Sequence, residues 1–62
     1  MISYLVFRYH NDFGECKVTA VYAAGKSGGT RRKIPRTAIG PIRRVWAPSR
    51  LEAIARSGLR CA

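Results

Sequence analysis

Acidic side chains are scarce in this chain of 62 residues. Asp12, Glu15 and Glu52 are its only carboxylate side chains, and residues 16–51 contain none. General acid–base catalysis and oxygen-ligated metal sites both depend on carboxylates held close together. The sequence offers little material for either kind of site, and it leaves the basic residues of its middle part without neighbours of opposite charge.

Histidine and cysteine are also rare. His10 is the only histidine, and the two cysteines, Cys16 and Cys61, lack the paired short intervals of a zinc site. A nucleophile with its base and an orienting group cannot be assembled from them. We therefore predict a protein that is not an enzyme and that has no metal and no cofactor. Without a secretory context we expect both thiols to be reduced, with Cys16 packed as a small hydrophobe.

Long apolar runs are missing as well. No segment approaches the roughly 18 consecutive apolar residues that a membrane span needs. Met1 to Tyr9 lacks the basic start and the small-residue cleavage site of a signal peptide. On this pattern we expect an intracellular protein, cytoplasmic or nucleoid-associated, that makes no contact with membranes.

Positive charge is abundant, and it is unevenly placed. The net charge is +9, yet in residues 1–24 Arg8 and Lys17 are balanced by Asp12 and Glu15. All other lysines and arginines fall in residues 25–62, where Glu52 is the single acid. Such side chains repel one another until an anionic partner neutralises them. The densest stretch contains Lys26, Arg31, Arg32, Lys33, Arg36, Arg43 and Arg44.

The first part of the chain predicts a β-hairpin. Ile2–Tyr9 is rich in β-branched and aromatic residues, and Cys16–Ala24 alternates in polarity. Between them, residues 10–15 favour a turn, in which Gly14 can take a positive φ. Both faces of the first strand are largely apolar, so the sequence leaves open which one meets the core.

The middle of the chain predicts a loop followed by a strand. Residues 25–41 are rich in glycine and basic side chains, are punctuated by Pro35 and Pro41, and show no period of 2 or 3.6. We expect no regular structure there and interpret the segment as a recognition loop that its ligand orders. Ile42–Ala47 is expected to form a third strand.

The end of the chain predicts a short helix, Arg50–Ser57. Ser49 and Glu52 have the spacing of a capping box, and Gly58 can provide a left-handed exit. We therefore expect one domain over residues 1–62, of the α+β class, with a small antiparallel sheet covered by this helix. The helix is expected to bury Leu51 and Ile54 and to leave Arg50 and Arg56 outward.

Ile42–Ala55, a basic strand followed by a serine cap and a helix, has a layout similar to that of two DNA-binding families. These are the arm-binding domains of tyrosine recombinases and the AP2-type domains, in which a three-stranded sheet enters the major groove. The resemblance covers that stretch alone, and the long basic loop before it departs from their short hairpins. Membership is not inferred.

The charge pattern favours a nucleic-acid-binding module, because lysine and arginine displace counterions from phosphates and arginine forks match phosphate oxygens. Trp46, beside Arg43 and Arg44, is a candidate for stacking on a base, although for a single tryptophan we expect core packing instead. DNA and RNA are not distinguished. The candidate phosphate contacts are Lys26, Arg31, Arg32, Lys33, Arg36, Arg43 and Arg44, with Arg50 and Arg56 as secondary contacts.

Two alternatives use the same charges. One is a structural protein of a ribonucleoprotein such as a ribosome, in which a basic segment threads between RNA helices. The other is a small phage-type inhibitor or adaptor that docks on an acidic protein surface. Such an inhibitor could extend the sheet of its partner by strand addition at an edge formed by residues 2–9.

Overall fold

The computed structural model describes residues 1–23 and 34–61. Lys26, Arg31, Arg32 and Lys33, and with them most of the expected recognition loop, lie outside these residues. The described elements are, in chain order, β1 (Ile2–His10), β2 (Cys16–Tyr22), β3 (Ala38–Ala47) and α1 (Arg50–Ser57). A small α+β fold is therefore confirmed. In the part of the chain that is described, no helix has the length and apolarity needed to cross a membrane.

The three strands form an antiparallel sheet in the order β2-β1-β3. Tyr4, for example, lies between Tyr22 of β2 and Val45 of β3. The first strand is thus central and paired on both sides, which suits a segment that is apolar on both faces. The expectation that residues 2–9 form a free edge of the sheet was wrong, because β2 and β3 are the edge strands of the described sheet.

The turn between β1 and β2 is built as the sequence predicts. The Asn11 side chain accepts hydrogen bonds through Oδ1 from the backbone nitrogens of Phe13 and Glu15, each at 2.9 Å. Gly14 has a φ of 75°, in the left-handed region that glycine adopts without a steric penalty. Short-range side-chain chemistry is sufficient to define this turn.

The core lies between one face of the sheet and α1. Successive strand residues point to opposite faces, and Tyr4 and Val6 face the helix together with Ala20, Ala47 and Ala53. The alanines lack bulk, so the helix can approach the sheet closely. The opposite face also holds a fully buried side chain, that of Phe7, in edge contact with Tyr9.

β3 is longer than predicted because it continues through a bulge. Val6 pairs with Arg43 and Arg8 pairs with Ile39, so one residue on β1 faces three on β3, residues 40–42. Proline cannot donate a ladder hydrogen bond and is tolerated at bulges on edge strands. Pro41 therefore interrupts the pairing without ending the strand, and the expectation of no regular structure over residues 25–41 was wrong for residues 38–41.

α1 has the predicted bounds but not the predicted buried face. Ser49 Oγ accepts a hydrogen bond from the backbone nitrogen of Glu52 at 3.3 Å, and Gly58 has a φ of 72°. Ala53 is fully buried, whereas Leu51 is 76% exposed. Residues two apart on a helix are separated by about 200°, so a helix that turns Ala53 to the sheet must turn Leu51 away. Ile54 packs beside the core as expected.

Cys16 and Cys61 form a disulfide bond, and their Cα atoms lie 5.8 Å apart. The expectation of reduced thiols, with Cys16 as a buried hydrophobe, was therefore wrong. After Gly58 the chain returns along the helix side of the sheet, where Leu59 packs against the core. This return brings the C-terminal segment to the start of β2, and a separation of 45 residues gave no local signal of it.

Candidate nucleic-acid interface

The exposed arginines of β3 lie on both sides of an edge strand. Arg43 pairs with Val6 and shares its face, the helix side of the sheet. Arg44 pairs with Leu5 and points to the opposite side. Both are exposed. Among the described strands β3 is an edge strand, and it thus presents one arginine on each face of the sheet.

Trp46 shares the face of Arg44, away from the helix. Val45 packs against the core and Ala47 is fully buried there, so the residue between them must point the other way. The indole is 57% exposed. The expectation that Trp46 packs in the core was wrong, because the strand register gives the core positions to its smaller neighbours.

Arg56 holds the backbone behind this tryptophan. Its Nη1 donates a hydrogen bond to the Trp46 carbonyl oxygen at 3.1 Å and approaches Met1 Sδ at 3.8 Å. Its Nε lies 3.4 Å from Glu52 Oε2. The side chain is 44% exposed, but its guanidinium group is occupied by contacts within the molecule. It therefore has less capacity for a phosphate than Arg43 or Arg44.

The other candidate cations in the described residues are exposed and lie apart from β3 or at its ends. Arg36 lies in the turn before β3, and Arg50 is the first residue of α1. Within residues 1–23 and 34–61, the ion pair between Arg56 and Glu52 is the single salt bridge. Lys17 and Arg60, not singled out from the sequence, are also exposed. The unpaired cations expected to contact phosphate are therefore Arg36, Arg43, Arg44 and Arg50.

Sequence reasoning missed Arg8. This side chain lies between Val18 and Ile39 in the sheet and donates from Nη2 to the Gly40 carbonyl oxygen at 3.0 Å. Its Nε is buried and, among the described residues, has no hydrogen-bond partner. Arg8 thus supports the bulge that precedes Arg43. Only the pairing of β1 with β3 reveals this role.

The residues considered for catalysis or metal binding have structural roles in the hairpin and the disulfide bond. His10 pairs with Cys16 at the end of the hairpin, and the disulfide removes that sulfur as a free ligand. Glu15 accepts a hydrogen bond from Asn11 Nδ2 at 3.0 Å. Across the described parts of the chain, no group of three or more histidine, cysteine or acidic residues is arranged to hold a metal ion.

Comparison of the chain with protein-family models, with curated proteins and with solved structures found no significant match. The layout that Ile42–Ala55 shares with the arm-binding and AP2-type domains therefore has no support beyond the residues themselves.

Proposed function

We propose that this protein binds nucleic acid, and that its described contact surface is the β3 edge with Arg43 and Arg44 as the main phosphate contacts. Arg36 and Arg50 add secondary contacts. One observation carries the proposal: the two neighbouring guanidinium groups are exposed on opposite sides of one edge strand, and neither has an acidic partner in the described residues.

The charges around β3 favour a polyanion. Asp12 and Glu15 lie in the turn beyond His10, at the other end of β1 from Ser3, which pairs with Trp46. Glu52 is paired with Arg56. Within residues 1–23 and 34–61, no acidic side chain is paired with Arg43 or Arg44. Binding to phosphates would release condensed counterions, which drives association. Arginine also matches phosphate oxygens in bidentate geometry.

The same strand is poorly suited to strand addition. Pro41 lacks a backbone donor, and the bulge and the exposed arginines beside it are features that protect a sheet edge from pairing with another chain. This favours nucleic acid over the alternative of an inhibitor that extends a partner's sheet. A structural role in a ribonucleoprotein would use the same contacts with RNA.

The disulfide bears on the cytoplasmic or nucleoid location expected from the sequence. Reducing compartments keep most protein thiols free, so in such a place the bond between Cys16 and Cys61 would be open. Neither cysteine lies on β3. We propose that the β3 edge binds nucleic acid in the reduced as well as in the oxidised protein.

Fluorescence anisotropy with labelled single-stranded and duplex oligonucleotides tests the proposal. Engagement of about four to six phosphates gives a slope in log K against log salt of roughly −4 to −5 for duplex DNA and roughly −3 to −4 for a single strand. The double variant R43A/R44A should bind at least tenfold more weakly at low salt. The double variant K17A/R60A removes the same charge from exposed positions outside β3 and is the matched control.

Equal losses in the two double variants would show that net charge, and not the β3 edge, determines binding. Absence of binding to any nucleic acid at low salt, with retained affinity for an acidic protein, would replace the proposal with the protein-docking alternative.

A further inference from the structure

The only tryptophan of the chain is held on the surface. Trp46 is 57% exposed, whereas the largest fully buried side chains of the described residues are Phe7 and Val6. A tryptophan is among the largest apolar side chains, and leaving it in water forgoes hydrophobic stabilisation that so small a core could use. Tryptophan is enriched at binding interfaces, where its ring supplies a large contact area.

The backbone that carries this indole is fixed from both sides. Trp46 pairs with Ser3 in the sheet, and its carbonyl oxygen accepts the hydrogen bond from Arg56. The next residue, Ala47, is fully buried against the helix. The backbone position and the sheet face of Trp46 are therefore set before any ligand arrives, which lowers the entropic cost of binding.

Arg44 stands beside the indole on the same face. Residues two apart on a strand are separated by roughly 7 Å, so the guanidinium group and the aromatic ring can contact adjacent parts of one ligand. The described residues that the strand pairing places on this face contain no carboxylate: they are Ser3, Leu5, Phe7, Tyr9, Lys17, Thr19, Val21, Ala38, Arg44 and Trp46. An aromatic face next to an unneutralised cation suits a base and its phosphate.

We propose that Trp46 is a stacking platform for an unpaired base and that Arg44 contacts the phosphate next to that base. The preferred ligand is then a single-stranded nucleic acid or an unpaired loop. In a duplex the faces of the bases are already stacked on one another, so the indole has no free base face to cover. This inference rests on the proposed function, because it adds a base contact to the same edge strand.

Stacking is tolerant of sequence, because every base has an aromatic face. DNA and RNA single strands offer this chemistry alike, and they differ at the 2′-hydroxyl group. Oligonucleotides of deoxyuridine and of uridine, which carry the same base and form no stable pairs, serve as the two probes. A difference between them would identify the natural source, and stacking on Trp46 should appear with either.

The test compares each single strand with a duplex of equal length, by anisotropy, for the intact oxidised protein. Loss of one base stack weakens binding roughly 5- to 150-fold. We expect W46A to lose this much affinity for the single strands and to change little for the duplex, while W46F retains most of the affinity. The matched control is F13A, because Phe13 is an 87% exposed aromatic in the hairpin turn, at the opposite end of β1 from the position that pairs with Trp46.

The wild-type protein supplies a second measurement that needs no substitution. Because Trp46 is the single tryptophan, its fluorescence reports on this site alone. Titration with a single strand should change the emission at the same concentrations that raise the anisotropy, and the duplex should change it much less.

An equal loss for single strand and duplex in W46A, or unchanged emission during binding of a single strand, would overturn the stacking site and leave phosphate binding by β3 intact. Failure of all the probes to bind would overturn the proposed function itself. The two failures are therefore distinguishable.

Discussion

The backbone carbonyl of Trp46 accepts a hydrogen bond from the Arg56 guanidinium group at 3.1 Å, which links the last turn of α1 to the edge strand β3. The sequence suggested that this arginine faces outward toward phosphate. Its position shows that a basic residue in a cationic chain can be used to hold the sheet and helix together.

Replacing Arg56 should therefore reduce stability. We expect R56M, which keeps much of the length of the side chain, to lower the free energy of unfolding by about 1 kcal/mol, since it removes a charge-assisted hydrogen bond that is partly exposed. E52Q removes only the exposed ion pair and should cost less than about 0.5 kcal/mol. Urea denaturation measures both, and equal losses would show that the bond to Trp46 contributes nothing.

Opening the disulfide should destabilise the fold strongly. The bond joins residues 45 apart, and chain-entropy arguments assign a loop of that size about 4 kcal/mol. In denaturant experiments we expect the free energy of unfolding of C16S/C61S to be lower by about this amount and to be unaffected by reductant. Reduction of the wild-type protein should lower its free energy of unfolding to the same value. A double variant as stable as the oxidised protein would contradict this.

Binding of nucleic acid should restore part of the stability that the protein loses when the disulfide is opened. A ligand that binds only the folded chain stabilises it by about 2.7 kcal/mol at a concentration of 100 times Kd. We expect the thermal unfolding temperature of reduced protein to rise with added single-stranded oligonucleotide, and the rise to be smaller in R43A/R44A. If the reduced chain gains nothing while the oxidised chain does, binding requires the disulfide and the proposed reducing location is wrong.

Substitutions at two positions can check which face of α1 packs against the sheet. A53L inserts bulk where the helix touches the sheet and should cost about 1–3 kcal/mol by overpacking. L51A truncates an exposed side chain and should change stability by less than about 0.5 kcal/mol. The opposite ranking in urea denaturation would mean that the face containing Leu51 is the one that packs.

Features of the fold that depend on nearby residues were predictable from the sequence. The turn follows from Asn11 and Gly14, whose side-chain hydrogen bonds and positive φ need no distant partner. The helix bounds follow in the same way from Ser49 and Gly58. Local chemistry of this kind acts over three or four residues and can be read directly from the sequence.

Features that depend on distant contacts were not predictable. The exposure of Trp46 follows from the register of β3 on β1, which gives the core to Val45 and Ala47. The exposure of Leu51 follows from which helix face meets the alanines of the sheet. The apolar patterns of these segments were compatible with either orientation, so only the assembled packing could decide between them.

The candidate site was predictable in its chemistry and not in its arrangement. The absence of acids over residues 16–51 identified the cationic part of the chain. The sequence did not show that Arg43 and Arg44 point to opposite sides of one edge, or that Arg56 is used within the fold. These relations require the strand pairing and the helix position.

The link between Cys16 and Cys61 also changes what a single break in the backbone would do. Residues 16–61 form a covalent ring. Residues 1–15 lie outside this ring and supply the middle strand of the sheet. A protease that cuts once anywhere inside the ring would leave both fragments attached, with the mass of one water molecule added, until a reductant separates them.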